Sequence, residues 1–113
     1  MRLPAAERAW IEPAKIRDYL LCKEHAVGRF KAIFFESLGY STDTWHLLAA
    51  DLRALALAAE ATLGKQTKYG QKYEVHGTLS GPSGRSASIV TVWIVRGGED
   101  VPRFVTALPG EKA

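Results

Sequence analysis

The hydrophobic pattern changes period near the middle of the chain. Up to about Leu63 apolar residues recur at three- and four-residue intervals, the spacing of a buried helical face. From about Lys72 they alternate or run on continuously, as strands do. The expected fold class is therefore α+β, with N-terminal helices packed on one face of an antiparallel β-meander sheet. We read residues 1–113 as a single domain with an arm (1–12), a helical part (13–63) and a sheet (72–109).

The arm carries Trp10 and Ile11 as expected anchors on the core. Pro13 suits the first turn of a helix, where its missing N–H costs nothing, and Ile16, Tyr19 and Leu20 follow at helical spacing. A second helix, "AVGRFKAIFFESL", ends at Gly39, with Val27, Phe30, Phe34 and Leu38 as its apolar stripe. Arg29 falls on the wet side. Lys31 falls on the border of the buried face, where it either snorkels to water or is held beside the sheet. A third helix starts near "STDTW", capped by Ser41 or Thr42, and buries Leu48, Leu52, Leu55 and Ala59 before ending at Gly64.

Three strands are expected, at residues 72–79, 86–96 and 102–108, joined by "SGPSGR" and "RGGEDVP". Short connections make the sheet antiparallel. If Leu79 pairs with Ser86 and Arg96 with Pro102, one face holds Tyr73, Val75, Leu79, Val90, Val92, Ile94, Phe104 and Leu108. The opposite face then holds Lys72, Glu74, His76, Thr91, Trp93 and Arg103. That second face is either an ordinary solvated sheet surface, with Trp93 a core residue or lying under the arm, or a site in which cations meet phosphate and the indole stacks on a base. Single-stranded RNA suits such a surface better than duplex DNA.

Composition narrows the classes. The chain has 47% hydrophobic and 24% charged residues, an ordinary globular balance, and a net charge of +3 that permits a polyanionic partner without requiring one. One cysteine, Cys22, leaves no internal disulfide and gives no sign of an oxidising compartment. There is no signal-peptide pattern and no run near the ~20 apolar residues of a membrane span, so a cytoplasmic chain with no membrane contact is expected. The three histidines and Cys22 lack zinc-type spacing, and there is no Walker loop, dinucleotide fingerprint or nucleophile elbow. Neither a metal nor a cofactor is expected.

Two stretches, "LPAAERAWIEPAKIRDYLLCKEHAVGRFKAIFFESLGY" and "YGQKYEVHGTLSGPSGRSASIVTVWIVRGGEDVPRFVTALP", together resemble a bacterial family of unknown function over nearly the whole chain. More distantly, helices followed by a meander ending "RFVTALP" resemble the barnase–EndoU–colicin–RelE group of ribonuclease toxins. That resemblance implies a small metal-independent endoribonuclease, tRNA being one expected substrate, held inactive by a cognate immunity protein or antitoxin. The colicin D branch uses Lys and His from a helix with Ser-x-Trp on a strand. Thr91-Val92-Trp93 matches the latter with Thr for Ser, whereas His25 and Lys31 depart from the colicin order and spacing. The implied roles are acid or base for His25 first and His76 second, phosphate holding for Lys31 and Arg103, and hydrogen bonding for Thr91. With Trp93 as the stacking ring, Lys72, Arg29 and Tyr73 complete the expected substrate-binding set. The alternatives are a non-catalytic interaction domain of a bacterial two-protein system and an RNA binder without catalysis.

Overall fold

The computed structural model describes residues 1–22, 24 and 29–110. It is an α+β fold in which helices precede, and pack on, a four-stranded antiparallel sheet of order β1-β2-β3-β4. Helix α1 (Pro13–Lys15) begins at its proline and continues as a π-helical turn (Ile16–Leu20) that buries Ile16 and Leu20 completely. Helix α2 is Arg29–Ser37 and α3 is Trp45–Ala58. The strands are β1 (Ala61–Thr67), β2 (Gly70–Ser80), β3 (Ser86–Arg96) and β4 (Arg103–Pro109).

Strand β1 is an addition to the three strands expected. The alanine-rich run "ALALAAEATL" continues a helical pattern, but the backbone leaves the helix at Ala59 (ψ 161°). The Ala61 N–H then donates to Met1 O, and Thr62 and Leu63 pair with Glu74 and Tyr73. Pairing with β2 overrides the local helix propensity of this polar edge segment. Helix α2 is also rotated from the expected stripe. Ala32, Phe35 and Leu38 are buried, Phe34 is half-buried, and Phe30 is 66% exposed. Leu38 is buried as expected and Val27 lies outside the described residues, but Phe30 turns outward and Phe35 inward because α2 packs against the turn Ile16–Leu20 with its Ala32–Phe35 side. Gly39 ends α2 with φ +102°, and the Ser83 N–H donates to Leu38 O at 3.0 Å, so the β2–β3 hairpin is tied to the helix end.

The register of that hairpin decides which side of β3 faces the helices. Ser80 pairs with Ser86, their hydroxyls are 2.7 Å apart, and the Gly81 N–H donates to Arg85 O at 2.9 Å. These contacts close a loop one residue shorter than a Leu79–Ser86 pairing requires. Val75 therefore pairs with Thr91 and Tyr73 with Trp93. A one-residue change exchanges the faces of a whole strand, so the expected placement of β3 is corrected: Ile89, Thr91 and Trp93 face the helices, and Val90, Val92 and Ile94 face outward with Lys72, Glu74 and His76. Between Val92/Trp93 and Phe104/Thr106 the β3–β4 register shifts, with Val105 as the extra residue. The shift allows Phe104 and Ala107, three residues apart, both to be buried, while Arg103 and Thr106 both lie on the outer face.

The core on the inner face joins Val75, Leu79, Ile89, Trp93, Phe104 and Ala107 to Ile16, Leu20, Phe35, Leu48, Leu52 and Ala56. Each fully buried aliphatic side chain contributes about 1.5–3 kcal/mol. Helix α3 crosses β2 at Gly77, where an added Cβ would meet Leu55 Cδ1 at 2.5 Å, so a larger residue there requires the Leu55 side chain to move.

Candidate functional site

On the outer face the register places Lys72, Ile94 and Arg103 side by side on three adjacent strands. This row floors a cleft of about 550 Å³ at the loop end of β3 and β4. Lys15 from α1 and Arg96 from the end of β3 bring the cleft's cations to four, and Glu12 is its one lining carboxylate among the described residues. Two aromatic rings stand in its walls and remain accessible, Trp10 (45% exposed) and Tyr69 (66% exposed).

The backbone fixes these rings in place. The Trp10 N–H donates to Pro102 O and the Phe104 N–H donates to Trp10 O, each at 2.9 Å, so the arm adds one parallel bridge to the β4 edge. The neighbours Ala9 and Ile11 are buried while Trp10 and Glu12 point out, the alternation of a strand. The Trp10 ring consequently lies 5.2 Å from the Arg103 guanidinium, within cation–π range. Tyr69 sits in the β1–β2 turn, whose Gly70 lies so close to Val95 O and the Arg96 Cα that no side chain fits there. The Gly97 N–H donates to Tyr69 O and pins this turn to the end of β3.

Arg103 is engaged from a second side. Its Nε and Nη2 donate to the two Glu99 carboxylate oxygens at 3.1 and 2.9 Å, a bidentate fork. That fork holds the Glu99 carboxyl below its ordinary range and raises the guanidinium further. By contrast Lys15, Lys72 and Arg96 have no carboxylate at ion-pair distance among the described residues. Lys15 Nζ only donates weakly, at 3.5 Å, to Val105 O. Several cations without an ion-pair partner among the described residues, a fork-shaped donor already gripping a carboxylate and two accessible rings suit a phosphate ester carrying a base.

The residues expected from sequence divide sharply. Lys72 and Arg103 meet in the cleft. Thr91 and Trp93 do not, because both are fully buried. The Trp93 indole N–H donates to Thr91 Oγ1 at 2.8 Å, the Thr91 hydroxyl donates to Val75 O at 3.4 Å, and the indole packs edge-on to Phe104 at 5.3 Å. The expected stacking ring and hydroxyl donor are thus core residues with their polar atoms already used, a consequence of the hairpin register. Tyr73 is half-buried against the same core. Arg29 is exposed on α2 and lies over Phe30, 4.9 Å from its ring, outside the cleft. His76 is exposed further along β2, 3.2 Å from Glu74. Lys31 is held beside the sheet, donating to Thr106 Oγ1 at 2.8 Å. His25 lies outside the described residues.

Trp10, Glu12, Lys15, Tyr69 and Arg96 were not among the expected site residues. The strand-like alternation in "AWIE" was the available sign for Trp10 and Glu12, and Arg96 shares the parity of Ile94. Among the described residues no group of three or more His, Cys, Asp or Glu side chains could hold a metal ion. No helix among them is long and apolar enough to cross a membrane.

No curated protein matches this sequence. Among solved structures, the fold is similar to a chain of a contact-dependent growth inhibition toxin–immunity protein complex from Klebsiella pneumoniae 342. The TM-score is 0.71 at 17% identity, over 95% of this chain and 97% of that one, a likeness of fold. A family described as a domain of unknown function (DUF6883) matches residues 2–111, and the chain belongs to that family.

Proposed function

We propose that the protein is a toxin-like, metal-independent endoribonuclease of a bacterial two-protein system, and that the cationic cleft is where it binds RNA. The observation that carries this reading is the row Lys72–Ile94–Arg103 beside accessible Trp10 and Tyr69, cations for phosphate next to rings for bases. The fold likeness to a chain from a toxin–immunity complex supports a cognate protein partner. The resemblance to the barnase–EndoU–colicin–RelE group, which carries such ribonucleases, fits the same reading.

The chemistry needs few parts. Glu12, the cleft's carboxylate, takes the proton of a ribose 2′-OH as O2′ bonds to the adjacent phosphorus. Arg103 and Lys72 stabilise the charge on the phosphorane. The P–O5′ bond breaks, and the departing oxygen takes a proton from the Lys15 ammonium. The products are a 2′,3′-cyclic phosphate and a 5′-hydroxyl, and water restores both protonation states.

A second reading, a non-catalytic interaction domain, is favoured by one observation: Phe30 and Ile33 are 66% and 61% exposed on α2. Incubating the protein with total tRNA and a single-stranded RNA in EDTA, beside folded Arg103→Gln and Lys72→Gln variants, separates the two. Cleavage lost in both variants is expected. No cleavage by folded wild type would leave the interaction domain as the better account.

A further inference from the structure

The row next to Lys72–Ile94–Arg103 on the outer face is Glu74–Val92–Thr106. Its β4 end is not an ordinary exposed threonine. Lys31 reaches over from α2 to donate to Thr106 Oγ1 at 2.8 Å, and its ammonium lies 5.2 Å from the Tyr19 ring. Both Lys31 and Thr106 are half-buried, and Lys31 has no carboxylate at ion-pair distance among the described residues. A lysine that merely snorkels turns its head to bulk water. This one is held against the sheet with a hydroxyl beside it and, among the described residues, no carboxylate at ion-pair distance.

We infer that Lys31 and Thr106 form a second phosphate subsite, so that the outer sheet face takes an extended single strand with two consecutive phosphodiesters. The inference rests on the proposed reading of the cleft as an RNA site. Ile94 and Val92 are two residues apart on β3, a rise of roughly 6.6 Å. That is comparable with the distance between neighbouring phosphates on an extended nucleic-acid strand. Val105 lines the cleft and Thr106 follows it directly, so the two subsites are continuous. Val92, half-buried beside Thr106 in the second row, offers an apolar floor to the adjoining ribose. Glu74 ends the same row two strands away, roughly 10 Å across the sheet, and lies 3.2 Å from His76. A ligand with one phosphate engages the Arg103 row alone, and a ligand with two engages both.

The test uses the full chain and two uncleavable probes, a 2′-O-methyl dinucleotide with one phosphodiester and a 2′-O-methyl trinucleotide with two, followed by fluorescence anisotropy. Wild type is expected to hold the trinucleotide about tenfold more tightly. Lys31→Gln and Thr106→Val are expected to erase that preference while leaving dinucleotide affinity unchanged, and Lys31→Arg to keep it. Equal affinity of wild type for the two probes would overturn the second subsite alone, as would a Lys31→Gln variant that weakens both probes equally. Failure of either probe to bind wild type would sink the RNA reading of the cleft and the subsite together.

Discussion

Strand β3 presents two faces built from neighbouring residues, and they behave as different materials. Inward, Ile89, Thr91 and Trp93 are fully or almost fully buried, and the polar atoms of Thr91 and Trp93 are satisfied within the core. Outward, Val90, Val92 and Ile94 are half-buried and flanked by Lys72, Arg103 and Thr106, whose polar ends face the cleft or the solvated sheet. The inner hydroxyl–indole pair has the same residue types as a binding site but no access, and the outer row has access but no obvious motif. Chemistry-bearing residue types therefore locate a site only after strand parity is known.

Substitutions on the two faces should separate stability from binding. The largest effect is expected from Trp93→Ala, which removes a buried ring and leaves a cavity beside Phe104. It should cost about 3–5 kcal/mol in urea unfolding. Next comes Thr91→Val, nearly isosteric, which leaves the indole N–H without its acceptor and should cost about 1–3 kcal/mol. Folded Thr91→Val protein should retain wild-type RNA affinity, and a selective loss of binding would place Thr91 back in the site. On the outer face, Arg103→Gln should weaken single-stranded RNA about tenfold and reduce the salt slope of binding, with the thermal midpoint nearly in place. An Arg103→Gln variant that unfolds without losing affinity would erase the contrast between the faces.

The smallest effect has the opposite sign. Glu99→Gln withdraws the carboxylate that competes for the Arg103 fork, and RNA should bind a few-fold more tightly. The same pair has a pH signature. The folded-state pKa of Glu99 is depressed, so the pair's contribution to stability is present above the ordinary carboxylate pKa and is lost as pH falls through the depressed value. The difference in unfolding midpoint between wild type and Glu99→Gln should therefore shrink as pH falls from neutral to below the ordinary carboxylate range.

The α+β class, the meander and the position of the hairpin were legible in the sequence, because period change and turn residues report them directly. So was the parity of β2, where Tyr73, Val75 and Leu79 alternate with Lys72, Glu74 and His76. The parity of β3 was not legible. Its residues are apolar on both faces, so alternation carries no polar marker, and the hairpin loop differs from the expected one by a single residue. Arg103 nevertheless faces outward as expected, because the extra residue at Val105 resets β4. Lys72 and Arg103 were visible as candidates. Trp10, Lys15 and Tyr69 were not, since their contribution depends on where the arm and the β1–β2 turn come to rest.

The docking of that arm ties the cleft to the order in which the chain is made. Trp10, Glu12 and Lys15 are synthesised before the sheet, whereas Arg103 and Phe104 follow only after β3. Because chains emerge N-terminus first, at about 5–20 residues per second, a ribosome-bound intermediate lacking β4 has Lys72, Ile94 and Arg96 but no Arg103 for the Trp10 ring to meet. The bridge from Trp10 to Arg103 closes late and over a long sequence separation, the kind of contact that slows folding. The complete cationic cleft thus exists only once β4 has been made and has docked on β3 and the arm.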